Sequence, residues 1–484
     1  MADVIALGSR RFGQVNAWRP GRTFLLVGLG LASLLPYLAA LGLGDLRVHT
    51  AEFVIIYSGV FALYLAACAL VLEPDHQVTG LRLVVITSFA LLYRLILLPT
   101  LPTLSDDMYR YVWDGRVQGH GLSPYRYPPG ARELAALRPW KPPVYQTVWR
   151  HINRKEAVTV YPPGAQMAFA GLWRLMGDRV IGFKAAFVVA ETIGAVVLLG
   201  LLRACQLPPE RVLIYLWSPL LVFEVAQAGH VDGLMLPLLA AALLARVRER
   251  PIWLGLCLGA ATLVKLFPAL LLPALLPLPA RWSWRGLRAP GLTLAAFAGV
   301  IGVAYLPYVL GNGGGVLGFL PNYFGENFNL GLARLAFNLA DAQGWPRAET
   351  ANAVTFVGLA ALSLACVVRP AADGRGALLR CLWLIGWFTL TTQNLFPWYL
   401  LWLLPLLVLF VEPGRLLGFK LTPALAGLVF TGTVGLAYLF FIRWRVIDWA
   451  QAAEYWPLYA LLLASFALSL WRRRRTGPHE RLSI

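Results

Sequence analysis

Long apolar runs dominate this chain and leave few ways to fold it. Thirteen lie near residues 23–43, 51–72, 80–101, 180–203, 211–228, 231–246, 251–278, 290–310, 351–368, 376–395, 397–411, 421–441 and 455–471. Many exceed the ~18 residues that mark a helix able to cross a membrane. A β-barrel would show short segments of alternating polarity instead. At 484 residues, 58% hydrophobic and 14% charged, the chain is too apolar to be soluble. The expectation is an all-α polytopic membrane protein with about 12–13 transmembrane helices.

The formal charge of +18 would favour nucleic acid in a soluble protein. Here the arginines flank apolar runs, so membrane topology accounts for them and no nucleic-acid partner is expected. The cysteines Cys68, Cys205, Cys257, Cys366 and Cys381 lie in or beside apolar runs, which suggests neither a disulfide framework nor a zinc site. Arg10, Arg11, Arg19 and Arg22 precede the first run without a small-residue cleavage site and read as an uncleaved cytoplasmic flank.

From that flank, lysine and arginine sort the connections. Segments 73–79, 203–211 and 246–250 fall inside; the loop from 101 to about 164 and GHVDG at 229–233 fall outside. Basic RWSWRGLR at 281–288 and WRRRR at 471–475 stay inside only if 251–278 is a re-entrant pair, broken near Lys265 and Pro268. Then 311–350 and 443–454 are outside, while 369–376 and 412–420 are inside. The outer loop holds nine basic residues (Arg110, Arg116, Arg126, Arg132, Arg138, Lys141, Arg150, Arg154 and Lys155). They suit a phosphate-bearing ligand or lipid headgroups, and equally a solvated loop.

In that loop lies TLSDDMYRYVWDGRVQGHGLSPYRYPP, from Thr103. Ser105 suits a helix N-cap and Asp106 and Asp107 suit the first turn. Continued as a helix, Asp107, Arg110, Asp114 and Gln118 share one face; Tyr109, Val112, Trp113 and Val117 share another. Such a helix could lie on the membrane surface and aim carboxylates at a substrate. Two adjacent acids are ordinarily a helix-start feature, but their setting here favours a general base, with or without a metal.

Elsewhere, Glu224 and Gln227 precede His230 and Asp232 at the same expected face; ionisable groups at membrane depth usually face a cavity. Asp, His and Asp could hold a divalent metal, though the spacing is not a strong motif. Lys265, mid-run, wants an anion: a lipid-linked phosphate, or an internal carboxylate such as Glu191. Lys184 and Glu191, two turns apart, read as a structural pair, and Arg94 as another intramembrane residue or a lipid contact. Tyr161 begins the return to the membrane. Gln393, Asn394, Trp398 and Tyr399 lie at an outer face, where rings form interfacial belts but also stack on sugars, and amides bind hydroxyls. No Walker A loop, GxGxxG, HExxH or GxSxG occurs, so an activated substrate would arrive through the membrane.

SDDMYRYVWDGRVQGHGLSPYRYPP at 105–129, YPPGAQ at 161–166, GHVDGL at 229–234, VKLFPALLLP at 264–273 and PWYLLWLLP at 397–405 together carry a resemblance. The chain resembles the GT-C superfamily of integral membrane glycosyltransferases. It is closest to bacterial polyprenyl-phosphate-mannose-dependent mannosyltransferases and the GPI mannosyltransferase I group. The likeness spans about residues 80–410. It implies a GT-C-like bundle with amphipathic juxtamembrane helices in the first long outer loop, and a catalytic aspartate at Asp106 or Asp107. Two departures stand out. The acidic motif follows the third apolar run rather than the first, implying two added N-terminal helices, and the aspartates are adjacent rather than Asp-x-Asp.

The expected organisation is therefore 1–79 as added helices, 80–310 as a catalytic module with outer loop 101–164, and 311–484 as an outer loop and C-terminal helices. The expected function is inverting transfer of a sugar, mannose by resemblance, from a polyprenyl-phosphate donor to a lipid, glycan or protein hydroxyl at the extracytoplasmic face of the plasma membrane. Asp106 is the expected base, with Asp107 orienting. Arg110, Asp114, Arg116, Tyr161, Glu224, His230, Asp232, Lys265, Gln393, Trp398 and Tyr399 are expected to contact substrate, with Arg110 and Lys265 on the phosphate. No cofactor is required; a divalent metal is compatible. The competing reading is a transporter or lipid flippase for a lipid-linked sugar, with Lys184, Glu191, Glu224 and Lys265 forming a path. A weaker third is a non-catalytic lipid-binding subunit.

Overall fold

A computed structural model describes residues 21–73, 80–138, 145–281, 283–312 and 315–475. Arg10, Arg11, Arg19, segment 74–79, Lys141, Trp282, residues 313–314 of GNGGG and the tail 476–484 lie outside the described residues. Regular structure among the described residues is helical, apart from a four-residue strand, Pro413–Leu416, in a tight hairpin. Among the described residues, eight helices are long and apolar enough to cross a membrane. They are α1 (Gly21–Leu43), α2 (Thr50–Leu72), α3 (Gly80–Leu97), α6 (Val180–Ala204), α9 (Arg288–Asn312), α10 (Arg347–Val368), α12 (Pro423–Arg443) and α13 (Asp448–Arg475). Between them lie the shorter α4 (Asp107–Gly119), α5 (Pro163–Met176), α7 (Asp232–Val247), α8 (Pro251–Val264) and α11 (Gly374–Thr391).

The remaining apolar runs are short or interrupted, and prolines sit at the starts of their short helical pieces. Pro219 precedes a π-helical turn, Val222–Gln227, that carries Glu224. Pro268 and Pro273 restrict the chain after α8 to short turns, and Pro397 and Pro405 do the same beyond α11.

The break in 251–278 falls at Lys265, whose backbone is extended at φ −150°, ψ 134°. A side chain at Gly255 would meet the Thr293 carbonyl at 2.3 Å, and one at Gly259 would meet Val300 at 2.3 Å. Residue numbers thus rise together along α8 and α9, so the helices run parallel. Residues 265–287 must therefore carry the chain back to the side from which α8 began.

Connections collect at two ends of the bundle. At one, Gly374 packs on Val247, Arg22 pairs with Glu73 and Arg211 donates to the Val408 carbonyl. At the other, Arg47 of the α1–α2 connection reaches Asp106, Gln227 reaches Leu101, and the Phe328 amide reaches Gln393.

α4 is enclosed rather than lying on a surface: every residue from Met108 to Val117 is buried. Its polar side chains find most of their partners inside the protein. Arg110 pairs with Asp114 at 2.8 Å, Gln166 donates to Asp114, and Arg116 pairs with Asp178. Glycine lets α4 fit against α5, because a Cβ at Gly115 would lie 2.5 Å from the Phe169 carbonyl oxygen. The Ser105 hydroxyl accepts from the Asp107 amide at 3.2 Å, supporting the helix start.

Two expected intramembrane pairs are not formed. Glu191 pairs with Arg94, while Lys184 donates to the Leu97 and Thr100 carbonyls. Seven helical residues separate Cα atoms by about 10 Å, too far for Lys184 and Glu191 to meet without competition. Nor is Glu191 the partner of Lys265; Asp232 is.

Candidate active site

A cavity of about 850 Å³ opens where the α4 start, the Lys265 break, the 319–328 segment and the 394–402 turn converge. Its wall is rich in aromatic rings, including Phe267, Tyr323, Phe396, Trp398, Tyr399, Trp402, Phe441 and Trp444. Such a wall suits both a prenyl chain and the apolar faces of sugar rings.

Asp106 and Asp107 both line this cavity, yet their neighbours differ. Arg47 forks onto Asp106, Nη2 to Oδ1 at 2.9 Å and Nη1 to Oδ2 at 3.3 Å. Arg47 is itself held by the Thr103 carbonyl, 2.8 Å from Nε, and lies 4.9 Å from the Phe441 ring centroid. Asp107 has no lysine or arginine within salt-bridge distance among the described residues; its ionic neighbour is His230, Nδ1 to Oδ2 at 3.8 Å.

Behind that pair the groups are buried. His230 stacks on Trp398, with centroids 3.9 Å apart, and turns Nε2 toward Glu224 Oε2 at 3.3 Å. Tyr438 donates to the other Glu224 oxygen. Asp232, the first residue of α7, accepts from Lys265 at 2.7 Å and from Trp402 Nε1 at 2.7 Å. Lys265 lines the cavity with its ammonium 5.0 Å from the Tyr399 ring centroid. Because Lys265 and Trp402 occupy the Asp232 carboxylate, it is not free to join Asp107 and His230 around a metal. Among the described residues, no group of three or more His, Cys, Asp or Glu side chains could hold one.

Arg110 also lines the cavity; Nε is on Asp114, Nη1 is on the Ala157 carbonyl, and buried Nη2 has no hydrogen-bond partner. Tyr161 lines it too, and burial pushes its phenol well above the usual value, with Asp107 adding to the shift.

Of the expected residues, Asp106, Asp107, Arg110, Tyr161, Lys265, Trp398 and Tyr399 therefore meet at one wall, with Asp114, Glu224, His230 and Asp232 in support. Two do not join them. Arg116 is committed to Asp178 and the Leu137 carbonyl, and Gln393 to the Phe324 carbonyl and Asn352. Neither lines the cavity, because each is held by a neighbouring segment. Sequence reasoning missed Arg47, Tyr438 and the aromatic residues of 319–328. Arg47 did leave a signal: it is a basic residue in a short connection that the charge pattern of the sequence assigns to the outer face, where such residues are scarce.

A search of curated proteins finds no match to the chain. The family model for the alpha-(1->6)-mannopyranosyltransferase N-terminal domain matches residues 25–281. That span exceeds half the chain, begins within α1, and includes Asp106, Asp107, His230, Asp232 and Lys265. The chain therefore belongs to the alpha-(1->6)-mannopyranosyltransferase family and is a multi-pass membrane glycosyltransferase.

Proposed function

We propose that the protein moves mannose from a polyprenyl-phosphate donor to a lipid, glycan or protein hydroxyl at the extracytoplasmic face of the plasma membrane. The observation that carries this reading is the setting of Asp107, a carboxylate without a lysine or arginine partner on the wall of a large aromatic cavity. Asp107 takes the proton of the acceptor hydroxyl. The acceptor oxygen bonds to sugar C1 as the C1–O bond to phosphate breaks, and polyprenyl phosphate leaves with the electron pair. Attack from the opposite face inverts C1.

Arg110, through its unpartnered Nη2, and Lys265 stabilise the departing phosphate. Asp106, held by Arg47, orients the acceptor rather than acting as base. His230 and Glu224 hold Asp107 and Trp398 in place. A phosphate monoester is a good leaving group, so the reaction balances without a metal or other cofactor. Short basic connections such as 246–250, at the end away from the site, support an outward-facing cavity.

Purified protein in lipid nanodiscs, given radiolabelled polyprenyl-phosphate mannose and a mannoside acceptor, tests this. Transfer is expected from the lipid donor and not from a nucleotide-linked one. Asp107→Asn is expected to lose about 10²–10⁴-fold in rate with unchanged melting. Use of nucleotide-linked mannose alone would remove the donor assignment. Full activity in Asp107→Asn would remove the base assignment.

A further inference from the structure

Asn394 lies in the extended link between α11 and the turn at Pro397. The residue lines the cavity and only 5% of it is exposed. Neither Nδ2 nor Oδ1 has a hydrogen-bond partner among the described residues. A buried amide with both ends unmatched is costly, and proteins retain such groups where a ligand completes them. The adjacent Gln393 differs at one end only: its Nε2 donates to the Phe324 carbonyl, while its Oε1 is unmatched like both ends of Asn394.

Asn394 shares this cavity with Asp107 and Trp398, and two residues beyond it begins a chain of ring contacts that leads to Asp107. Phe396 stacks on Trp398 with centroids 4.5 Å apart, Trp398 stacks on His230 at 3.9 Å, and His230 reaches Asp107 at 3.8 Å. A side-chain amide offers two donor hydrogens and one acceptor oxygen side by side. The matching ligand on an aromatic wall is a ring bearing adjacent hydroxyls, which both donate and accept. A phosphate only accepts, and would leave Oδ1 unmatched.

We propose that Asn394 is a specificity-determining residue that hydrogen-bonds ring hydroxyls of the transferred sugar. The proposal rests on the reading that a glycosyl donor binds in this cavity. A site built to bond a hydroxyl rejects the analogue lacking it, because the protein amide is then left unmatched.

The test compares the full-length protein with Asn394→Leu, which keeps the branching at Cγ and removes the polar ends. Melting in nanodiscs is expected to hold or rise, while kcat/KM for the lipid-linked mannose donor falls by about 10²-fold or more. Wild type is expected to reject at least one donor lacking a single ring hydroxyl, and the variant to accept full and deoxy donors alike. Should Asn394→Leu not fold, Asn394→Ala is assayed with the same deoxy donors. Wild-type discrimination in the folded variant would overturn the proposal. So would lowered melting with unchanged kcat/KM, which marks a structural amide. No transfer by wild type from any lipid-linked donor would instead remove the reading beneath it.

Discussion

Arg47 and Asp106 face each other as a two-pronged ion pair, with Nη2 2.9 Å from Oδ1 and Nη1 3.3 Å from Oδ2. The pair joins the α1–α2 connection to the start of α4 and gives two adjacent aspartates different neighbours. Without Arg47, the negative charges of Asp106 and Asp107 would repel with no cation held against either.

Arg47→Ala is therefore expected to lower kcat by about tenfold or more while leaving the donor KM within about twofold, since the proposed phosphate contacts, Arg110 and Lys265, lie elsewhere. Added guanidinium is expected to restore part of kcat, and urea at the same concentration is not. Steady-state kinetics with both additives check this. Arg47→Lys keeps charge but loses the fork, and is expected to fall between the two.

Lys265→Met leaves the Asp232 carboxylate buried without its cation. The expected cost is about 3–5 kcal/mol. Lys265→Met combined with Asp232→Asn is expected to recover much of it, because no lone charge remains. Chemical unfolding in detergent, compared across the single and double variants, measures the difference.

Gly115→Ala would place a methyl group 2.5 Å from the Phe169 carbonyl oxygen and 2.9 Å from Trp173 Cβ. Backbone on one side of that contact cannot rotate away, so α4 must shift from α5. A loss of about 1–3 kcal/mol is expected. Because α4 begins with Asp107, transfer activity is expected to fall with it. Thermal melting and activity of the same preparation report the two effects.

Burial pushes the Tyr109 phenol up to about 12, with Asp106 acting in the same direction and Arg47 opposing. The folded state thus holds this proton more tightly than the unfolded chain, whose tyrosine titrates near 10. The associated stability is fully present below about pH 10 and is lost as pH rises toward 12. Tyr109→Phe is expected to lose less stability over that interval than wild type. Melting curves at pH 9, 10 and 11 distinguish them.

The long spans were legible because length and hydropathy are local properties: α1, α2, α3 and α6 each lie along a run visible in the sequence. Residues at a polar interruption were legible for a related reason, as with Lys265, whose charge in an apolar run demanded a partner. The identity of that partner was not. Asp232 lies thirty-three positions away, and only the packing of α7 and α8 brings it to Lys265. Lys184 and Glu191 erred differently. They share a helix face, but rise along the axis separates them, and nearer groups satisfied each one. Arg116 and Gln393 are polar residues in the right segments, yet each is held by a contact from a distant part of the chain. α4 has the periodicity of a surface helix. Its enclosure depends on Gly115 and on Asp178 and Gln166 arriving from beyond the loop.

Each of the cations lining the cavity already has a carboxylate: Arg47 with Asp106, Arg110 with Asp114, Arg154 with Glu326 and Lys265 with Asp232. An anionic substrate reaching them competes with an anion already in place. Its affinity is then the difference between two ion pairs rather than the strength of one. Binding of an anion at these cations is then an exchange, and re-forming the internal pair favours its release.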